Sequence, residues 1–258
     1  MRFVVAVPAR LESARLPGKV MADIGGKPML QRVLERCCQA RCAAAVVLCT
    51  DSQELIASAT AWGVTAVATS SACTSGSERI ASVAQHLLTI SASTASETVI
   101  INVQGDQPFI DPAVIDALAG EFAQRQPRPL VMTPIYRLGA DKVHNPDVVK
   151  TLVAADGRAL YFSRSALPHV RGVDPCDWHA QAPYWGHVGI YGYRADVLLR
   201  WSELPRSPLE ITEKLEQLRL LEAGIGIDTF VVEGDALSVD TPQQLQQARQ
   251  LAAQLESG

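Results

Sequence analysis

Apolar and polar positions follow two alternating periods along the first hundred residues. Runs of five or six apolar residues are separated by segments whose apolar positions recur every three or four residues. These patterns predict β-strands and amphipathic helices in turn. The predicted strands are 3–7, 45–49, 64–68 and 98–103, and the predicted helices are 28–41, 53–62 and 78–88. Strands joined by single helices pair in parallel through right-handed crossovers, so this half predicts a doubly wound α/β unit.

The second half has a mixed pattern. Predicted strands lie at 130–134, 148–153, 159–162, 188–191 and 227–232, and predicted helices at 112–124, 209–223 and 242–255. Residues 168–183 are rich in proline and poorly periodic. No repeat, low-complexity block or linker divides the chain, which predicts one domain over 1–258. Within it, residues 135–205 are interpreted as an insertion that covers the site or supports a subunit contact.

Composition narrows the class of protein. With 48% hydrophobic and 19% charged residues, the 258-residue chain is typical of a folded α/β domain rather than a disordered one. The formal net charge of −4 argues against general nucleic-acid binding, which needs a basic surface. Any basic site must therefore be local.

Location and redox state are also predicted from composition. No segment is long and apolar enough to span a bilayer, and Pro8 and Arg10 interrupt the first apolar run before a signal sequence could develop. Six scattered cysteines fit free thiols, and Cys38 and Cys42 are interpreted as buried helix residues rather than a metal pair. A cytoplasmic protein is expected.

A basic loop follows the first predicted strand. Residues 8–19 read Pro-Ala-Arg-Leu-Glu-Ser-Ala-Arg-Leu-Pro-Gly-Lys and place Arg10, Arg15 and Lys19 beyond the carboxyl end of that strand. Ligands of open α/β sheets bind at such ends. The loop lacks the spacing of both common phosphate-binding motifs. It could be a solvated surface turn or a site for a polyanion such as a nucleoside triphosphate.

Two acidic residues follow other predicted strands. Asp106 lies in Asn-Val-Gln-Gly-Asp-Gln-Pro at residues 102–108, and Asp240 lies in Ser-Val-Asp-Thr-Pro at residues 238–242. Each could simply stabilise a turn or cap a helix. Together they could hold Mg²⁺, which takes one or two carboxylates and completes its shell with water and phosphate oxygens.

Three further segments are candidates for ligand contact. Ser75 precedes Gly-Ser-Glu-Arg and is predicted to cap a helix with Glu78 three residues on, at a place where backbone N–H groups can approach a ligand. His187 precedes a predicted strand. Glu213 and Glu216 are three residues apart and should share one face of the helix 209–223, and the pattern does not distinguish them.

With these motifs assembled, the chain resembles the 3-deoxy-manno-octulosonate (Kdo) cytidylyltransferases nearly from end to end. The opening loop fits Pro-Ala-Arg-x-x-Ser-x-Arg-Leu-Pro-Gly-Lys, residues 75–79 fit Ser-Gly-Thr-Glu-Arg with Ser77 for Thr, and residues 102–108 fit Asn-Val-Gln-Gly-Asp-Glu-Pro with Gln107 for Glu. Further matches in the family's order occur at residues 145–150, 161–164, 187–194, 215–219 and 239–242. Many ordered matches are more specific than any single motif.

The resemblance implies a Rossmann-like nucleotide-diphospho-sugar transferase fold, a central mostly parallel twisted sheet flanked by helices. It implies that CTP and Kdo give CMP-Kdo and pyrophosphate for lipopolysaccharide synthesis, with Mg²⁺ as cofactor, in a homodimer. The implied catalytic residues are Arg10, Arg15, Lys19 and Asp106, and the metal ligands Asp106 and Asp240. The implied nucleotide contacts are Ala9, Arg10, Ser75, Arg79 and Gln104, and the sugar contacts Gln104, His187, Glu216 and Gln217.

The chain departs from the family on the sugar side. Gly186 stands where a basic residue usually precedes His187, Ser238 replaces a glycine, and the stretch after Pro168 is shorter and less charged. Activation of another sugar acid, such as a sialic acid or an amino-substituted octulosonate, is therefore an alternative. A non-catalytic nucleotide-binding protein is a second alternative, against which Lys19, Asp106 and Asp240 together argue.

Overall fold

The structure is a computed structural model that describes residues 1–13, 16–234 and 237–256. Arg15 of the basic loop lies outside the described residues. The strands are β1 (Arg2–Ala9), β2 (Asp23–Ile24), β3 (Lys27–Pro28), β4 (Ala43–Thr50), β5 (Thr65–Ala68), β6 (Thr98–Asn102), β7 (Val131–Arg137), β8 (Lys150–Val153), β9 (Ala159–Ser163), β10 (Trp185–His187), β11 (Tyr191–Arg194) and β12 (Ile227–Val231).

β2 and β3 pair with each other, whereas the other strands form one sheet, and helices pack on both of its faces. The helices are α1 (Met29–Cys38), α2 (Gln53–Ala61), α3 (Gly76–Ser82), α4 (Ala84–Ser91), α5 (Pro112–Gln124), α6 (Ala140–Val143), α7 (Trp178–Gln181), α8 (Ala195–Leu199), α9 (Pro208–Glu213), α10 (Gln217–Glu222) and α11 (Pro242–Glu256). No helix in the described ranges has the length and apolar character needed to cross a lipid bilayer.

One mixed sheet forms the centre of the fold. Its order is β5-β4-β1-β6-β11-β7-β10-β8-β9, and β12 pairs with β7. The pairings make β1, β4, β5, β6, β7, β8 and β12 run in one direction, whereas β9, β10 and β11 run in the other. The predicted mostly parallel α/β architecture is confirmed.

Side chains of the central strands alternate between two hydrophobic cores. In β1, Val5 and Val7 pack on one face, with α1, α2, α5 and α11, whereas Val4 and Ala6 pack on the other, with α3, α4, α8 and α10. Because a parallel strand is buried on both faces, its sequence is a continuous apolar run, as observed for β1. Burial on both sides fixes the carboxyl ends of β1 and β6 rigidly at one edge.

The prediction of a strand at 188–191 was wrong. The chain forms β10 and β11 instead, and residues 188–190, which connect these two strands, belong to neither. The Thr133 hydroxyl lies within hydrogen-bond distance of the carbonyls of Val188 and Ile190, at 3.2 and 2.7 Å, which holds a tight bend there. Before the bend, β10 pairs with β8, and after it β11 pairs with β6. The sheet is therefore open between β6 and β8 beside this bend.

Two predicted helices are broken. The helix at 78–88 divides at Val83 into α3 and α4. The helix at 209–223 ends at Glu213, because the next residue, Lys214, has a left-handed φ of 54°, and helix resumes as α10. A left-handed residue cannot continue an α-helix, so Glu213 and Glu216 do not share one helix face as predicted.

The cysteines are free thiols, but Cys38 and Cys42 are not buried in a helix as predicted. Cys38 is exposed at the last position of α1, and Cys42 is half-buried beyond its end. No disulfide or metal site is formed by the thiols of the described residues.

Candidate active site

The basic loop turns back on itself at the end of β1. The Gly18 N–H donates to the Leu11 carbonyl at 3.2 Å, and Gly18 adopts a left-handed φ of 67° that favours glycine. Arg10 is exposed at the mouth of the loop, and Lys19 begins a 3₁₀ turn directed inward. Among the described cations of the loop, Arg10 is therefore exposed and Lys19 is partly buried.

Lys19 joins the two predicted metal ligands. Its Nζ lies 2.8 Å from Oδ2 of Asp106 and 2.7 Å from Oδ1 of Asp240. Burial lowers the pKa of Lys19, but the two carboxylates outweigh it and the net pKa is raised. The backbone contributes as well, because the Val239 N–H donates to the Asp106 carbonyl at 2.9 Å. Two distant loops are thus fixed around one cation.

Asp240 is not the helix cap that its position suggested. Thr241 caps α11, since its Oγ1 accepts from the Gln244 N–H at 3.2 Å. The Gln244 side chain in return accepts from the N–H groups of Asp240 and Thr241. This arrangement is a capping box, which leaves the Asp240 carboxylate directed toward Lys19.

The N-terminus of α3 approaches β1 closely. Ser75 caps it as predicted, accepting from the Glu78 N–H at 3.2 Å. The Glu78 side chain does not complete a capping box as expected, because its carboxylate accepts from the N–H and the hydroxyl of Thr74 instead of the Ser75 N–H. A Cβ at Gly76 would lie 3.0 Å from Oε1 of Gln104, and a Cβ at Gly105 would lie 3.1 Å from the Pro8 carbonyl oxygen. Glycine at both positions lets the loop after β6 and the start of α3 meet at the end of β1.

Arg79 lies beneath this junction. It is buried, and its Nη1 lies 3.3 Å from Oδ1 of Asp51 and donates to Thr69 and to the Ser70 carbonyl. A guanidinium held by these partners fixes the loop after β5 rather than serving as a mobile cation.

Two cavities meet at the carboxyl end of the sheet. The smaller, about 330 Å³, is lined by Arg10, Lys19, Ser75 and Arg79, and by Ala9 at the end of β1. The larger, about 800 Å³, lies where the sheet opens and is lined by His187 and Gln217. Both cavities are lined by Gln104, Asp106, Glu216 and Asp240. The structure thus gathers every predicted site residue that it describes.

The larger cavity has buried polar atoms without hydrogen-bond partners. Among the described residues these include Oε1 of Gln107, Nε2 of His187, the Tyr191 hydroxyl and Nε2 of Gln217, all on residues that line it. Buried polar groups are normally paired, so an exception at a cavity wall points to a polar ligand. The sequence prediction missed Gln107 and Tyr191, although both lie inside the quoted motifs.

The break after α9 gives the two glutamates different partners. Glu216 accepts from the Ser77 N–H at 3.3 Å and lines both cavities, and burial raises its pKa. Glu213 accepts from the Ser163 hydroxyl at 2.5 Å and from the Arg164 N–H at 3.1 Å. Glu216 therefore faces the site, whereas Glu213 supports Arg164, which lines the larger cavity.

Steric packing explains why residue 186 is a glycine. A Cβ there would lie 2.5 Å from the Tyr136 ring and 2.7 Å from Leu138. Lys142 lies with its Nζ 5.5 Å from the centroid of that ring and lines the larger cavity. The space beside His187 is thus filled by an aromatic ring with a lysine over it.

His187 is neutral in the fold. Burial lowers its pKa to about 3, and its ring lies 5.3 Å from Phe162 and 5.1 Å from Tyr191 between centroids. A neutral imidazole offers one donor and one acceptor.

Acid should destabilise the protein through His187. The unfolded state takes up a proton near pH 6.5, whereas folded His187 stays neutral to about pH 3. Below pH 6.5 the unfolded state binds more protons than the folded state. The free energy of unfolding should therefore decrease as the pH is lowered, by up to about 1.4 kcal/mol per pH unit. Urea unfolding between about pH 4.5 and pH 7 should give a shallower dependence for His187→Gln, and no change for exposed His86→Gln. Equal slopes in all three proteins would contradict the assignment.

One observation indicates that Asp106 and Asp240 are suited to hold a divalent cation. Their carboxylates already converge on a single positive charge, the Lys19 ammonium. In the described ranges no group of three or more His, Cys, Asp or Glu side chains could hold a metal ion. The pair suits Mg²⁺ that receives its other oxygens from phosphate and water.

Comparison with known proteins defines the class first. The sequence profile described as Cytidylyltransferase matches residues 4–228. Together with the α/β sheet and the two joined cavities, this match shows that the chain belongs to the cytidylyltransferase family.

Individual relatives narrow the family further. A 3-deoxy-manno-octulosonate cytidylyltransferase from Myxococcus xanthus is 41% identical over 250 residues, covering 97% of this chain and 96% of the relative. One from Idiomarina loihiensis is 40% identical over 256 residues, covering 98% and 99%. A solved structure of CMP:2-keto-3-deoxy-manno-octonic acid synthetase complexed with CTP is 39% identical, with a TM-score of 0.89 and coverage of 99% and 100%. The resemblance to the 3-deoxy-manno-octulosonate cytidylyltransferases is confirmed.

Proposed function

We propose that the protein transfers a cytidylyl group from CTP to Kdo, giving CMP-Kdo and pyrophosphate. The observation that carries this proposal is the meeting of two cavities at Asp106 and Asp240, because a transfer enzyme must bring a nucleotide and an acceptor to one point. The relatives named above support CTP and the octulosonate as the substrates rather than a nine-carbon sugar acid.

The reaction is a displacement at phosphorus. The anomeric oxygen of the sugar forms a bond to the α-phosphorus of CTP and loses its proton, while the bond between the α-phosphorus and its bridging oxygen breaks and pyrophosphate leaves. Catalysis of such a step depends on positioning and on neutralising the phosphate charge. Arg10, Arg15 and Lys19 are proposed to neutralise the triphosphate and the departing pyrophosphate.

The smaller cavity is proposed to hold the nucleotide. Ala9, Ser75 and Gln104 line it and Arg79 fixes its floor.

The larger cavity is proposed to hold the sugar. Its unpartnered atoms on His187, Tyr191 and Gln217 suit hydroxyl groups, and Gln104 and Glu216 lie at its boundary with the nucleotide cavity. Arg164 and Lys142 on its wall suit the carboxylate of a sugar acid.

Mg²⁺ is proposed as the cofactor, held by Asp106 and Asp240. When bound, it would polarise the α-phosphate and lower the pKa of the attacking hydroxyl. Lys19, which now lies between the two carboxylates, is then available to the phosphates.

The enzyme is further proposed to act in the cytoplasm as a homodimer, in lipopolysaccharide synthesis. These proposals follow from the family resemblance, and residues 135–205 are the proposed insertion at the subunit contact. Light scattering of the purified protein tests the dimer, and a monomer mass would overturn it.

The decisive experiment measures pyrophosphate release with CTP and Kdo, with and without Mg²⁺. We expect Mg²⁺-dependent release with this pair and little with UTP or with a sialic acid. Turnover restricted to a nine-carbon acid would overturn the choice of sugar. Binding of CTP without any release would instead favour a non-catalytic protein.

A further inference from the structure

A buried lysine behind the larger cavity has no role in the proposed chemistry. Lys150 is 0% exposed, although lysine is rarely buried without a carboxylate partner. It begins β8, where it pairs with Ser163 of β9 and with Gly186 of β10. Lys150 itself does not line the cavity.

All three donors of the Lys150 ammonium are used by backbone carbonyls. It donates to Asn145 at 2.8 Å, to Val148 at 2.7 Å and to Arg164. An ammonium group has three N–H donors and no acceptor, so the set is complete. One charge thereby joins two separate chain segments, residues 145–148 and Arg164.

Both segments form the cavity wall. Asn145, Val148 and Arg164 line the cavity, and Val149 accepts from the His187 N–H at 2.9 Å. Arg164 is further held because its Nη1 donates to the Pro146 carbonyl and its Nε to the Glu213 carbonyl, both at 3.1 Å. The Lys150 ammonium thus lies at the centre of the contacts that orient Arg164.

We propose that Lys150 is a positioning residue that fixes Arg164 and residues 145–148 as one wall of the sugar cavity, and so controls the affinity for the sugar acid. This inference rests on the proposed function, because it takes the larger cavity as the sugar site. Loss of Lys150 should therefore raise the KM for the sugar acid and leave the KM for CTP unchanged, since the nucleotide cavity does not include this wall.

The test uses the full-length Lys150→Ala variant with CTP, Kdo and Mg²⁺. We expect the KM for Kdo to rise at least about tenfold and the KM for CTP to stay within about twofold. Ethylammonium, which replaces the deleted amine, should restore much of the affinity for Kdo, whereas ethanol should not. Leu55→Ala, in the core away from the cavity, is a control for general destabilisation and should leave both KM values unchanged.

A second measurement follows the pH dependence of both KM values. Burial, with a smaller effect from Arg164, lowers the pKa of Lys150 to about 8, while Glu213 opposes the shift. Loss of the Lys150 charge above that pH would release the contacts that orient Arg164, so the KM for Kdo should rise above pH 8 while the KM for CTP does not. In Lys150→Ala this rise should be absent.

The outcomes separate the two proposals. No turnover of CTP and Kdo by the wild-type enzyme would overturn the proposed function. Normal wild-type turnover with an unchanged KM for Kdo in folded Lys150→Ala, or equal rises in both KM values, would overturn the role of Lys150. Equal rescue by ethanol, or a wild-type KM for Kdo that is flat through pH 8, would also overturn it.

Discussion

Replacing Asp106 by Asn is expected to lower the rate of pyrophosphate release about a thousandfold while the protein remains folded. Asp106 lies on a loop after β6, at the junction of both cavities, and its carboxylate accepts from Lys19 at 2.8 Å. Asparagine keeps the shape of the side chain but removes the charge that would hold a divalent cation. The loss should appear in kcat at saturating CTP and Kdo, with thermal unfolding measured on the same samples.

Asp156→Asn is the matched control. Asp156 lies on the exposed turn between β8 and β9, pairs with Arg158 at 2.7 Å and lines neither cavity. Its replacement should leave kcat unchanged. If Asp106→Asn retained kcat within about tenfold of the wild-type value with normal Mg²⁺ dependence, Asp106 would have no part in the chemistry.

The parallel part of the fold could be predicted because its strands are buried on both faces. β1 and β6 are continuous apolar runs, and the polar residues that follow them mark the edge where ligands bind. For this reason Lys19 and Asp106, which are 87 positions apart in the sequence, could be placed at one edge before their contact was seen.

The sugar side could not be predicted in the same way, because its geometry depends on interruptions of regular structure. The bend at residues 188–190 is held by Thr133, a residue 55 positions away from Val188, and leaves no local signal in an apolar stretch. Likewise, Lys214 has no sequence feature that predicts a left-handed conformation. Both interruptions direct side chains into the cavity, His187 and Tyr191 beside the first and Glu216 after the second.

Gly186 illustrates a third limit. In the sequence, Gly186 stands where relatives of this family usually have a basic residue. In the structure, the Tyr136 ring occupies the position where a side chain at residue 186 would begin. Such compensation between β7 and β10 is a cross-strand contact, and the register that creates it was not predictable from either strand alone.

Replacing Lys19 by Met is expected to have two opposite effects. Without nucleotide, Asp106 and Asp240 lose the ammonium between them, so the Kd for Mn²⁺ should fall on the order of tenfold or more. Turnover should nevertheless fall about a hundredfold, because the charge that would stabilise the departing pyrophosphate is gone. Electron paramagnetic resonance of Mn²⁺ measures the first effect without any turnover, and pyrophosphate release measures the second.

Because Mn²⁺ binding and turnover should change in opposite directions, Lys19→Met tests the metal site more sharply than Asp106→Asn does. A structural role of Lys19 alone would weaken metal binding and turnover together, whereas competition between its ammonium and a metal ion for the same carboxylates strengthens one and weakens the other. Lys27→Met is the control, because Lys27 pairs with Glu35 at 2.8 Å and lines neither cavity. Unchanged or weaker Mn²⁺ binding in folded Lys19→Met would mean that Asp106 and Asp240 do not form the metal site.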